Sequence, residues 1–365
     1  MEYDVVIIGS GPAGTEAGKV LGSRGFRTAI IDSRNEIGNP IRCEELTERS
    51  TLDFLKVSDL ENIMSNTFQN IHLSFKGGVN DLTVRLKDDK FAVFERDKFD
   101  KENTARAALN GCDVFIRTLY VGHYRGENGK IVVNVRRGNQ DIQYTCRFLL
   151  MATGDSGDCG NLPYKIKVIS HRVFMAEKYS TECRISLDMG TPMKAAWYIP
   201  KRYPEANMGI AAVSDGLYSW DPEPELKLFM KSITGEEKYF STYSFSWETV
   251  SPKKSRTIVD GMAFAGDAAC LRDPLILSGF DRSIISGNMA GEAIGNYLDG
   301  TDVEAISLYN SRISDMFLLK NRKVYDLLKR SKGEIVEKFR YIQGEITLQD
   351  LSSYALLSSI LKLEL

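Results

Sequence analysis

Met1-Glu-Tyr-Asp-Val-Val-Ile-Ile-Gly-Ser-Gly-Pro-Ala-Gly14 opens the chain and decides how the rest is read. Val5 to Ile8 is an apolar, β-branched run of the kind found in central parallel strands. Gly9, Gly11 and Gly14 follow it in G-x-G-x-x-G spacing. The first glycine permits a tight turn, the second lets backbone approach a pyrophosphate, and the third lets a helix over Pro12 to Ser23 pack on the strand. That helix would point its N-terminus at the phosphates. A second strand, Arg27 to Ile31, ends in Asp32, at the distance from the glycines expected of a carboxylate that bonds an adenosine ribose. Such an acid favours a ribose with free hydroxyls.

Composition sets outer bounds. The 365 residues are 43% hydrophobic, enough for one large or two ordinary domains with a substantial core. The net charge of −2 gives no global reason to expect nucleic acid as partner. Six cysteines, Cys43, Cys112, Cys146, Cys159, Cys183 and Cys270, are scattered, with no C-x-x-C pair and no ligand spacing with the three histidines, so no metal is expected. The glycine turn leaves no room for a secretory signal before it, and no apolar run is long enough to span a bilayer. The expected location is cytoplasmic, with any membrane contact peripheral.

Beyond Asp32 the pattern is discontinuous. Phe91 to Glu95 reads as a strand leading into a helix that runs to about Asn110, and Asp113 to Arg117 as a further strand. Gly122 to Arg147 carries hairpin alternation with turn signals at Glu127-Asn-Gly-Lys130 and Arg137-Gly-Asn139. Phe148-Leu-Leu-Met-Ala-Thr-Gly154 is another buried strand ending in glycine. Segments rich in Tyr, Phe, Trp and Val from about Ile166 to Val259 suggest an antiparallel sheet. From Ser283 onward apolar positions recur at helical spacing through Ile306, Ile313, Leu318 and Leu327. The expected fold is α/β: a Rossmann-like FAD-binding domain (1–75, 91–165 and 260–300), an inserted antiparallel-sheet substrate domain (76–90 and 166–259) and a C-terminal helical region (301–365).

Four separated motifs carry a resemblance: the first glycines with Asp32; Glu36-Ile-Gly-Asn-Pro-Ile-Arg-Cys43; Phe94-Glu-Arg-Asp-Lys-Phe-Asp100; and Ala265-Gly-Asp-Ala-Ala269 followed by Asp273-Pro274. In this order they resemble the geranylgeranyl reductase family, within the p-hydroxybenzoate hydroxylase superfamily of FAD-dependent oxidoreductases. The resemblance implies FAD as cofactor. It implies contacts from Asp267 and Gly266 to the ribityl chain or pyrophosphate, from Arg96, from Ala13 on the pyrophosphate turn and from the Tyr120 backbone at the adenine. Gly154, Gly279 and Phe280 would complete the cofactor site, and Arg42 and Cys43 would lie near the flavin ring. Cys43 would be the proton donor, against the plainer reading of a small buried hydrophobe. Trp197, in Ala195-Ala-Trp-Tyr-Ile-Pro200, would line an apolar substrate tunnel or serve as an ordinary core aromatic.

Two departures stand out. The family pattern C-G-E-G reads Cys43-Glu-Glu-Leu46, losing both glycines and keeping Glu45. The glycine-rich run after Asp-Pro reads Leu275-Ile-Leu-Ser-Gly-Phe280, keeping only Gly279.

The activity implied is reduction of carbon–carbon double bonds in a geranylgeranyl or other isoprenoid chain, on an ether lipid or another prenylated molecule. The reductant would be NAD(P)H or a ferredoxin-like electron carrier, since no second full glycine fingerprint is present. Two alternatives stay open: an FAD-dependent monooxygenase, and a divergent non-catalytic FAD- or lipid-binding paralogue. The apolar stretch Leu348 to Leu365 would give peripheral lipid access or pack on the body of the protein.

Overall fold

The computed structural model describes residues 1–41, 43–55, 60–68, 70–75, 82–85, 91–154, 165–175, 181–188, 193–214, 220–235, 240–250, 261–272 and 279–321. Arg42, the Leu275 to Ser278 run and Leu348 to Leu365 lie outside them.

In chain order, β1 (Glu2–Ile8) turns through the glycines into α1 (Pro12–Ser23) and β2 (Thr28–Ile31). Next come β3 (Leu46–Glu48), short helices α2 (Arg49–Phe54) and α3 (Leu60–Ile63), and strands β4 (Met64–Thr67), β5 (Asn70–Phe75), β6 (Leu82–Arg85) and β7 (Phe91–Phe94). Helix α4 (Arg96–Leu109) precedes β8 (Asp113–Phe115), β9 (Thr118–Arg125), β10 (Ile131–Arg137) and β11 (Gln140–Met151). Then follow β12 (Lys165–Phe174), β13 (Cys183–Asp188), β14 (Met193–Pro200), β15 (Glu205–Ser214), α5 (Glu223–Thr234), β16 (Phe240–Val250) and β17 (Met262–Phe264). A 3₁₀ turn (Gly266–Ala269), α6 (Phe280–Leu298) and α7 (Ala305–Ile313) end the described chain, apart from a π-helical turn over Ser314–Leu318.

The first sheet has the order β8-β2-β1-β11-β10-β9, with β17 alongside β11. Its inner pairs, β8–β2, β2–β1, β1–β11 and β11–β17, are parallel, and β9 to β11 form an antiparallel meander. A strand in such a sheet is covered on both faces, which is why β1 reads as an unbroken apolar run. Val5 and Ile7 join the core beneath α1 and α6; Tyr3, Val6 and Ile8 pack on the other face with Val133, Val135 and Tyr144.

Helix α6 lies close against α1. A Cβ on Gly287 would sit 2.3 Å from the Ala13 carbonyl oxygen, and one on Gly291 would sit 2.8 Å from Val20 Cβ. Four-residue spacing puts these glycines on one helix face, so the late helix seats directly on the helix that follows the glycine turn.

The second sheet runs β16-β12-β15-β14-β13-β5-β6. It is antiparallel except where β13 meets β5 in parallel, with Cys183 opposite Ile71. This pairing moves Asn70–Phe75 out of the nucleotide part, where the sequence reading had placed residues 1–75. The cause is a partner strand more than a hundred residues downstream. On one face Val173, Ala196, Tyr198, Met208 and Ile210 pack against Leu226 and Met230 of α5. Asn207 and Gly209 alternate onto the opposite face, as strand periodicity requires. A small sheet, β3-β7-β4, lies within the segment between β2 and α4. Among the described residues no helix is long and apolar enough to cross a membrane.

Candidate functional site

A cavity of about 620 Å³ gathers segments from across the sequence. Gly9, Gly11, Ala13, Asp32, Cys43, Arg96, Tyr120, Gly154, Gly266, Asp267, Gly279 and Phe280 all line it. Gly14 lies one step behind, where a Cβ would meet the Gly9 carbonyl oxygen at 1.9 Å. Trp197 is not among the lining residues: its indole Nε1 donates to Asn207 Oδ1 at 2.9 Å, and its ring covers Gly209. The arrangement supports a packing and hydrogen-bonding role for it.

The glycine turn is built by close backbone approach. Gly9 has φ +108° and stands where a Cβ would come within 2.2 Å of the Ala152 carbonyl oxygen. Gly11 differs, since a Cβ there meets nothing within 4 Å among the described residues, leaving open space at the start of α1. The first turn of α1 carries no acidic residue and no side-chain cap, so its N–H groups are available to an anion.

Asp32, at the end of β2, is buried and heavily engaged. Its Oδ2 accepts from Ser10 N (2.8 Å), Ser10 Oγ (2.7 Å) and an Arg34 Nη2 (3.0 Å); its Oδ1 accepts from Arg34 N (2.8 Å) and Nε (3.0 Å). Burial alone would raise this carboxyl, but Arg34 and Ser10 outweigh it and hold it below its ordinary value. Arg34 also approaches Asp100 at 3.7 Å, and Asp100 in turn accepts from Arg96 Nε at 2.9 Å. Acids and guanidinium groups therefore alternate from Asp32 to Arg96. Tyr120 Oη meets His123 Nδ1 at 2.5 Å, with the two rings stacked.

The Cys43 loop is held from behind. Glu45 is 1% exposed with φ +64°, and its N–H donates to Cys43 Sγ at 3.3 Å. Its carboxylate accepts from Lys201 Nζ (2.7 Å), Arg172 Nη2 (3.0 Å), Arg96 N (3.1 Å) and Asn207 Nδ2 (3.2 Å). Lys201 is fully buried and also lies 3.2 Å from Glu95. Burial would raise Glu45; Lys201 and Arg172 more than offset it, so the carboxyl stays below its usual range. Asn207 donates to the Cys43 carbonyl as well, at 3.3 Å. Burial, with Glu44 beside it, pushes the Cys43 thiol up to about 12.

Phe280 opens α6 with its ring 4.6 Å from Phe94 and 5.0 Å from Phe99, and the Arg96 guanidinium lies 5.3 Å over that ring. Asp267 pairs through Oδ2 with Arg272. Its Oδ1 is buried without a hydrogen-bond partner among the described residues. A Cβ on Gly279 would reach that atom at 2.6 Å, so glycine is what leaves the acceptor room.

Sequence reasoning missed Arg34, Asp100, Glu44, Arg272 and the Lys201–Arg172–Asn207 group. Arg34 stands two residues after an acid that had already been singled out, and Glu44 replaces a glycine of the resembled pattern, so each carried a local signal. Lys201, Arg172 and Asn207 carried none, because their partners lie far away in sequence.

Residues 2–179 match the family described as FAD binding domain. The chain is 25% identical to the digeranylgeranylglycerophospholipid reductase of Picrophilus torridus, over 99% of this chain and 96% of that one. It is 27% identical to the protein of that name from Methanocella arvoryzae, over 90% and 88%. Among solved structures, a geranylgeranyl bacteriochlorophyll reductase-like protein from Thermoplasma acidophilum superposes with a TM-score of 0.85 at 21% identity, covering 99% of this chain and 98% of that one. A probable FAD-dependent monooxygenase from Pseudomonas aeruginosa shares the fold at a TM-score of 0.66 and 14% identity, over 92% and 100%.

Proposed function

We propose that this flavoprotein, whose N-terminal half carries an FAD binding domain and whose whole length resembles digeranylgeranylglycerophospholipid reductases, reduces carbon–carbon double bonds of isoprenoid chains on a lipid. The observation that carries the reading is the single cavity that joins the glycine turn, the Cys43 loop and the unpartnered Asp267 oxygen.

The residues present fit FAD. The open face at Gly11 and the uncapped start of α1 suit a pyrophosphate, and Asp267 Oδ1 suits a hydroxyl donor such as the ribityl chain. Asp32 suits the adenosine ribose, with Arg34 turning aside to free an acceptor. Tyr120 and His123 line the same cavity on β9, at the proposed adenine position. When bound, the cofactor supplies the hydride, and the protein supplies orientation and water exclusion. Phe280, tilted against Phe94 and edge-on to Phe99, keeps one wall apolar. The Glu45–Lys201–Arg172 cluster fixes the loop that carries Cys43 against the second sheet. The reductant is NAD(P)H or a ferredoxin-like carrier, and lipid access is peripheral.

The test is anaerobic reduction of the FAD-loaded protein followed by addition of a geranylgeranylated glycerophospholipid. Reoxidation of the flavin with formation of saturated chain supports the reductase. Reoxidation only by oxygen, with an oxygen atom appearing in an aromatic substrate, overturns it in favour of a monooxygenase. A reduced flavin that neither substrate discharges points to a binding protein without turnover.

A further inference from the structure

We propose that Glu44 is the acid of this site: held on the cavity wall by the loop that carries Cys43, it delivers the proton that completes addition across the substrate double bond. The inference rests on the reductase reading and deepens it.

Glu44 lines the cavity together with Cys43, Arg96, Arg272, Gly279 and Phe280. Its backbone is pinned on both sides. The Cys43 carbonyl accepts from Asn207, and Glu45 is locked by Lys201, Arg172 and Asn207. Its own side chain is left half-buried at the cavity. This combination of a fixed backbone and a carboxyl on the reacting space is what general acid catalysis requires.

The charged groups around it set its protonation. Arg272 and Arg96 face it as cations, but Arg272 is paired with Asp267 and Arg96 with Asp100. Asp281, at the start of α6, faces it as a second acid and is itself hydrogen-bonded by Thr47. Cys43 and Glu45 flank it on the loop. Burial, the largest influence, shifts the Glu44 carboxyl upward, which favours the protonated form that a general acid must hold. Burial also pushes the neighbouring Cys43 thiol up to about 12, which makes it a poorer proton donor than an ordinary thiol.

In the step, the π bond breaks and two C–H bonds form. One carbon takes a hydride, with its two electrons, from the reduced flavin; the other takes the Glu44 proton. The carboxylate left behind regains its proton from water.

Two variants and one spectrum test this. In FAD-loaded Glu44→Gln, reoxidation by a geranylgeranylated glycerophospholipid should slow about 10²-fold or more, with FAD retention and reduction by dithionite unchanged. Glu44→Asp, which keeps a carboxyl on the same loop, should recover part of that rate. Infrared difference spectra of the oxidised holoprotein should show a protonated-carboxyl band near neutral pH that Glu44→Gln removes. A full rate in Glu44→Gln, a rate in Glu44→Asp no higher than in Glu44→Gln, or absence of the band from the native protein each overturns the assignment. The spectrum still decides if the glutamine variant does not fold. If the native protein is never reoxidised by the lipid, the reductase reading falls and the acid role with it. Native turnover with an unimpaired Glu44→Gln removes only the acid role.

Discussion

The glycine turn and the Cys43–Glu45 loop both border the same cavity, yet they are held by opposite means. In the turn, backbone meets backbone: Gly14 against Gly9, and Gly9 against Ala152. No side chain is needed, and none fits. In the loop, an unusual backbone conformation at Glu45 is tied down by charged side chains from β12 and the end of β14, by the Asn207 amide of β15 and by a backbone N–H at the start of α4. The first arrangement depends on neighbours in sequence and the second on neighbours only in space. The turn can therefore be ruined by one methyl group, whereas the loop is ruined by loss of a distant charge.

The largest effect should come from Lys201→Met, which leaves Glu45 buried after loss of its ammonium partner. Breaking a buried pair in this way costs about 3–5 kcal/mol, read as a lower midpoint in chemical denaturation. A change below about 1 kcal/mol would show that Arg172 and Asn207 suffice, and the contrast between the two regions would weaken. Gly14→Ala comes next, at about 1–3 kcal/mol, because the added methyl strikes a carbonyl that has no rotamer to escape into. Gly11→Ala sharpens the point. It should leave the apoprotein within about 0.5 kcal/mol of the native value yet weaken FAD binding in a fluorescence titration, since its open space belongs to the ligand. Equal affinity would remove Gly11 from the pyrophosphate site.

The smallest effect is a pH dependence of opposite sign in the two regions. Asp32 is lowered from 3.8 in the folded state, so its contribution is present above that value and lost as pH falls through the lower folded value. Glu44 is raised from 4.5. The folded state then binds the extra proton, and stability falls as pH rises from 4.5 through the higher folded value. Denaturation midpoints across the acid range should decline more steeply at the low end in native protein than in Asp32→Asn. Glu44→Gln should flatten the decline at the upper end. Superimposable profiles would contradict both assignments.

Legibility in the sequence followed the same division. Helix α1 over Pro12–Ser23 and the strand before it were readable because apolar period, glycine spacing and the proline at the helix start all lie within one short segment. Asp32 was readable as a site residue, but its sequestration by Arg34 was not, because spacing says nothing of which way a guanidinium turns. The antiparallel character of the second sheet showed in its aromatic and β-branched strands. The membership of β5 did not, since its register is set by β13. Cys43 was visible through a motif, whereas Lys201 looked like any lysine after a strand. Only the fold reveals that it is fully buried.

The seating of α6 on α1 also bears on how the chain is made. Gly287 and Gly291 complete the surface on which Ala13, Ala17 and Val20 pack, so α1 leaves the ribosome well before the helix it waits for. Until α6 is translated, the dinucleotide fold has one flank bare. The middle of the protein, with its second sheet, must be synthesised during that interval. Contacts between segments so remote in sequence are late and slow to form. A truncation before Gly287 would therefore be expected to yield, rather than a smaller flavoprotein, a nascent chain that depends on chaperones.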